Sequence, residues 1–139
     1  MHVLVPIDDS DPAREALEYA FSNVPDAEFT ALHVVEPSVA AHRGDDAPYG
    51  VELPVATDDD RLEATFGPAR SLADEHGCSL TTEVLAGSPA RSIVQFATDT
   101  DVDRIVIGSH GRTGVSRVLL GSVAERVVRR APVPVTVVR

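Results

Sequence analysis

Gly108, Gly111, Gly121 and Ser122, spaced G-x2-G-x9-G-S, are the residues of this chain whose types and spacing suit phosphate chemistry. They join a short apolar run, Arg104 to Ile107, to a segment that opens a helix. An apolar run of that kind is what a parallel sheet buries on both faces. Downstream, Ser122 with Glu125 three residues on reads as a capping box, with Ser122 as N-cap. A helix start has unpaired amides and about half a positive charge in its first turn. Anions are therefore favoured at Gly121 and Ser122.

Enzyme signatures that would use such a loop are missing. A P-loop needs Gly-Lys-Ser/Thr, and the sequence contains no lysine. Residues 108–114 read G-x-x-G-x-x-G, which is not the dinucleotide fingerprint G-x-G-x-x-G. Neither a nucleophile elbow nor HExxH occurs. Without a positioned base for water the expectation is a binding protein, with slow turnover as the enzymatic alternative.

The elements that must position this loop alternate between strand and helix. Residues 2–7 read as a first strand, and Asp8 to Pro12 as a helix start with proline in the first turn. Ala13, Ala16, Leu17, Ala20, Phe21 and Val24 form one apolar stripe, which Pro25 ends. Phe29 to Val35 is a second strand, and 36–56 a long loop of the kind that often covers a site. Asp58 can cap a helix carrying Leu62, Phe66, Ala69, Leu72 and Ala73 and ending at Gly77. Gly67-Pro68 predicts a kink or break within it. Leu80 to Leu85 is the third strand, Ser88-Pro89 opens a helix to about residue 98, and 104–107 is the fourth strand. A helix over 122–130 and a strand from Val133 to Val138 complete the chain. The whole reads as one domain, 1–139, with a doubly wound, Rossmann-like α/β sheet of five mostly parallel strands, order 3-2-1-4-5, and helices on both faces. In such sheets ligands bind beyond the carboxyl ends of the strands, where strand order reverses. Asp8, Val35 and Gly108 stand at those ends.

Composition narrows the class. The 139 residues carry a net charge of −10, and all twelve basic residues are arginine. Residues 1–103 hold 5 Arg against 21 acidic residues, whereas 104–139 hold 7 Arg against Glu125 alone. An acidic surface is repelled by nucleic acid and by anionic membranes. It suits a salt-rich cytosol, where charges are screened within ~3 Å at 1 M salt. With neither an apolar run near membrane length nor a leader-like start, a cytoplasmic location is expected. Cys78, the single cysteine, has no internal disulfide partner.

The glycine and serine spacing, the opening Val3-Leu-Val-Pro6-Ile-Asp8-x-Ser10, the Ala31-Leu-His-Val-Val35 strand and Gly87-Ser-Pro-Ala-x-x-Ile93 together resemble the universal stress protein family, in its nucleotide-binding branch. The likeness runs nearly end to end. It implies ATP or a related adenine nucleotide, with Mg²⁺ or Mn²⁺ held mainly on phosphate oxygens. Asp8 would bond the ribose hydroxyls, Pro6 would shape the adjoining wall, and the Val35 backbone would meet the adenine edge. Gly108 and Gly111 would let the chain pass close to the nucleotide. Gly121, Ser122 and Val123 would present amides to the phosphates, with Arg112 available to steer them. The resemblance also implies a homodimer through the C-terminal strand, and bound nucleotide would alter a surface read by another protein.

Each role has a plainer alternative. Asp8 can cap the first helix, as can Asp9, Ser10 or Asp11. Gly108 and Gly111 can serve turn geometry, and Arg112 can be solvated. His110 reads as a loop residue and His33 as a half-buried, hydrogen-bonded strand histidine. Arg126, Arg129 and Arg130 fit the negative end of a helix without any ligand. A slow ATPase and a ligand-free dimeric scaffold remain the competing functions.

Overall fold

The computed structural model describes residues 1–8, 10–36, 59–109 and 120–139. Five strands, β1 (His2–Pro6), β2 (Glu28–Val35), β3 (Ser79–Ala86), β4 (Arg104–Gly108) and β5 (Val135–Val138), form one parallel sheet in the order β3-β2-β1-β4-β5. Among the described residues four helices alternate with them: α1 (Asp11–Asn23), α2 (Asp59–His76), α3 (Pro89–Asp99) and α4 (Ser122–Arg130). This is the doubly wound α/β domain that the alternating pattern predicts.

Strand periodicity of two divides the core into two layers. Val3, Val5, Phe29, Ala31 and Val106 face α1 and α2, while Leu4, Leu32, Ile105 and Ile107 face α3 and α4. The α1 stripe behaves as its spacing requires: Ala13, Ala16, Leu17, Ala20 and Phe21 are all buried. Phe21 meets Phe29 edge-on at 4.9 Å between ring centroids, which locks α1 across the first two strands.

Of the kink or break expected at Gly67-Pro68 the break is overturned: α2 is one helix from Asp59 to His76 with Pro68 inside it. Interior proline costs roughly 3 kcal/mol, but Phe66, Ala69 and Ala73 on the same helix are each at most 3% exposed. Burying a phenylalanine alone returns about 1.5–3 kcal/mol, so tertiary packing carries the helix through. It ends where the sequence places its stop. Gly77, at φ 66°, donates to the Asp74 carbonyl, and Cys78 N–H reaches back to Ala73, the paired bonds of a Schellman motif.

The last strand is shorter than its apolar run, beginning at Val135 rather than Val133. Pro132 and Pro134 cannot donate to a ladder, although the Pro134 carbonyl accepts from Ile105 N–H.

Candidate functional site

Strand order reverses between β1 and β4, and the two strands part there for a reason legible in their backbones. Ile7 N–H donates to Leu32 O on β2 at 2.8 Å. Because direction alternates along a strand, Leu4 and the residue two beyond it face β4. That residue is Pro6, which has no N–H to give. The β1–β4 pairing stops at Leu4↔Ile105, whereas β4 continues with β5 to Gly108↔Val138. Pro6 is buried and opposite Leu32, and it offers β4 no backbone donor.

Asp8 emerges just beyond that fork. The preceding residue is held twice to β2, since the Ile7 carbonyl also accepts from His33 Nδ1 at 3.0 Å. A carbonyl cannot donate, so His33 carries its proton on Nδ1 in this contact. His33 is thus the hydrogen-bonded, half-buried histidine expected, and it has a positional task that its sequence context did not reveal. Asp8 is not the N-cap of α1. Ser10 is, its hydroxyl accepting from Ala13 N–H at 3.4 Å. Asp8 Oδ1 accepts from Ser10 N–H at 2.9 Å and also from Ser10 Oγ–H.

Gly108 sits at the opposite lip. A Cβ built there would lie 2.8 Å from the Pro12 carbonyl oxygen and 2.9 Å from its carbon. The close approach that requires glycine is therefore made by the first turn of α1. This need is distinct both from ligand clearance and from turn geometry, since Gly108 has no left-handed backbone angle. Ser109, 2% exposed, carries the chain onward: its N–H donates to Val138 O at 2.9 Å, and its carbonyl accepts from Gly121 N–H at 2.6 Å. That second bond brings the start of α4 to the end of β4.

The helix start differs from the expected capping box. Gly121 is the N-cap, with extended backbone angles and a carbonyl accepting from Glu125 N–H at 2.9 Å. Ser122 is the first helical residue and is exposed. Glu125 pairs with Arg129 at 3.2 Å instead of folding back. With Gly121 as N-cap the third helical position is Ala124, so Glu125 lies one residue too far along to close a capping box and instead meets its i,i+4 neighbour on the helix surface. Two effects follow for an anion. The Gly121 amide is already committed to Ser109, so the amides of Ser122, Val123 and Ala124 are the ones the helix leaves without an intrahelical acceptor. The Ser122 hydroxyl makes no capping bond.

Val35 lies beyond the end of β1. β1 ends opposite Leu32, so Val35 projects three residues further, about 10 Å at the rise of a strand. Its carbonyl accepts from Gly87 N–H at 2.9 Å, which leaves one lone pair of that oxygen for another donor. Pro6, Asp8 and Gly108 thus meet at the fork, Gly121, Ser122 and Val123 are joined to it through Ser109, and Val35 flanks it. Gly111, Arg112, His110, Asp58 and almost all of the loop over 36–56 lie outside the described residues. Ser10, Pro12, His33, Gly87 and Ser109 are the supporting residues whose contacts motif spacing did not show. All but Ser109 had a signal in the sequence, as a cap, a first-turn proline, a strand histidine or part of a quoted segment, but none was tied to the site.

A separate cavity of about 110 Å³ lies between α1 and α2 and reaches Asp8 and Ser10 at one end. Pockets that enclose a drug-sized ligand run to about 300–1,000 Å³. It is a gap between helices, not the crevice at the fork. Among the described residues no group of three His, Cys, Asp or Glu is placed to hold a metal, and no helix is long and apolar enough to cross a membrane.

Comparison with known proteins agrees with this fold. The model of the universal stress protein family matches residues 1–139. A universal stress protein of Methanocaldococcus jannaschii, MJ0531, is 38% identical over 139 residues, covering 99% of this chain and 81% of the relative. The solved structure of MJ0577 superimposes with a TM-score of 0.77 at 29% identity, covering 99% of this chain and 94% of that one. Two more distant structures share the fold: a universal stress protein in complex with cAMP, at 22% identity and TM-score 0.69 over 100% of this chain and 97% of its own, and an Arabidopsis thaliana family protein with AMP bound, at 19% and 0.70 over 99% and 90%.

Proposed function

The chain belongs to the universal stress protein family, and from that premise and the fork between β1 and β4 we propose that it is an adenine-nucleotide-binding regulatory protein, with ATP as its ligand. One observation carries the reading. The end of the β1–β4 pairing at Leu4, the carboxylate of Asp8 just beyond it and the Ser109–Gly121 bond bring an acidic acceptor and a helix N-terminus to one switch point, which supports the reading of a sugar and phosphate site. Family members bearing cAMP and AMP support the choice of an adenine nucleotide.

In this reading Asp8 accepts from the ribose hydroxyls, and Val35 borders the base. Ser122 and Val123 amides, with the Ser122 hydroxyl, face the phosphates at the positive end of α4. Gly111 and Arg112 complete the phosphate side. Mg²⁺ or Mn²⁺ is carried by phosphate oxygens. Binding orders the crevice and changes a surface that a protein partner reads. The role is regulatory, with hydrolysis at most slow.

The same reading includes a homodimer through the C-terminal strand. β5 is an edge strand of four half-buried residues, and an apolar edge is a template for pairing with a second copy. Isothermal titration with Mg-ATP tests the nucleotide role. Saturable binding at or below millimolar ATP supports it, and silence at that concentration rejects it. Light scattering tests the dimer: a mass near 14.8 kDa would reject it.

A further inference from the structure

Among the described residues, Ser10 alone hydrogen-bonds the Asp8 carboxylate. Ser10 places two donors on the same oxygen, Oδ1: its backbone N–H at 2.9 Å and its hydroxyl. No other described residue donates to the carboxylate. Turning the group about its Cβ–Cγ bond would break both contacts at once, so Oδ1 faces α1 and Oδ2 is the oxygen presented away from it. The brace is itself seated. Ser10 caps α1 through Ala13, and the next turn residue, Pro12, is packed against Gly108. On the other side Ile7 is fixed to β2 by its N–H and its carbonyl. Asp8 is held from β2, from α1 and, through Pro12, from β4.

We propose that Ser10 is a positioning residue that makes Asp8 selective for a ribose over a deoxyribose, an inference that rests on the nucleotide reading above. A carboxylate free to rotate meets a single hydroxyl almost as well as a pair, because either oxygen can move to it. One fixed oxygen, aimed once, rewards the hydroxyl it was set for. A charged acceptor left without its donor then loses more than a neutral one, since hydrogen bonds to charged groups are the stronger class. Ser10 touches Asp8 and not the sugar, so its effect is on discrimination.

The test measures ATP and 2′-deoxy-ATP affinities by titration calorimetry in the full chain and in Ser10→Gly, Ser10→Ala and Ser10→Thr. Glycine is nearly as good an N-cap as serine, so Ser10→Gly removes the hydroxyl while keeping α1 capped, and Ser10→Thr keeps the hydroxyl. The expected result is a ribose preference that falls roughly tenfold in Ser10→Gly and Ser10→Ala, as for one charged hydrogen bond, and is retained in Ser10→Thr. Circular dichroism melts confirm that Ser10→Gly stays folded at the assay temperature. An unchanged preference in Ser10→Gly, or equal loss in Ser10→Thr, overturns the role of Ser10 while leaving nucleotide binding intact. Absence of ATP binding by the unaltered chain overturns the nucleotide reading and this role with it.

Discussion

Gly108 and Pro12 touch so closely that a methyl group on the glycine would overlap the Pro12 carbonyl, at 2.8 Å from its oxygen. The end of β4 and the first turn of α1 are thereby one joint, and the nucleotide crevice proposed above opens at its edge.

Replacing Gly108 with alanine forces that joint apart, because the obstacle is backbone and cannot swing aside. Overpacking of this kind costs about 1–3 kcal/mol. Urea denaturation should show a lower midpoint with an unchanged slope. Stability equal to the original chain would contradict the contact.

Ser122→Ala separates capping from ligand binding. Gly121, not Ser122, is the N-cap, so folding stability should move by less than ~0.5 kcal/mol, as at an ordinary surface position. Loss of a true serine cap would cost about 1 kcal/mol. ATP affinity should nevertheless fall severalfold, because the hydroxyl is assigned to phosphate. Thermal melts with and without Mg-ATP measure both quantities.

Pro6→Ala supplies the donor that β4 lacks. The new hydrogen bond is worth about 1 kcal/mol, and the lost rigidity of proline costs about 0.4–1 kcal/mol, so stability should hardly change. The residue 6 amide should be protected from hydrogen exchange, and ATP should bind more weakly as the fork closes. A rapidly exchanging amide would show that the strands part for another cause.

The thiol of Cys78 is pushed above its ordinary value, first by burial and then by the Asp26 carboxylate. An unfolded chain therefore loses this proton at lower pH than the folded one. Between the ordinary and the raised values the native state binds more protons, so stability declines as pH rises through that window and is unaffected below it. Cys78→Ser should remove the decline. At mildly alkaline pH, iodoacetamide should also label the native protein more slowly than the urea-unfolded one.

A net charge of −10 without lysine predicts self-repulsion that salt relieves. Going from dilute buffer to molar KCl should raise the melting temperature by ~5 °C or more, equivalent to about 1 kcal/mol for a domain of this size. A flat response would dissociate the composition from salt adaptation.

The topology was readable because short apolar runs alternate with stripes at three-and-four spacing, as from His2–Pro6 to α1, and because Gly77 marks the stop between α2 and β3. Pro68 misled because its cost is local, whereas the burial of Phe66, Ala69 and Ala73 that outweighs it depends on α1 and β2. Asp8, Gly108 and Ser122 were singled out by position and spacing, but their contacts were not legible. Ser122 and Glu125 have the spacing of a capping box, and only the helix start at Gly121 shows that the register is one residue off. Gly108 also packs against Pro12, a contact no spacing rule announces, since Pro12 lies nearly a hundred residues earlier in the chain. Contacts across the switch point have no local signature, and they are the ones that build this site.

The bond from Gly121 N–H to Ser109 O fastens the two ends of the intervening stretch to each other as well as to the scaffold. The end of β4 and the start of α4 are thereby coupled, so a substitution that loosens Ser109 or Gly121 is felt at once by the fourth strand and by the last helix.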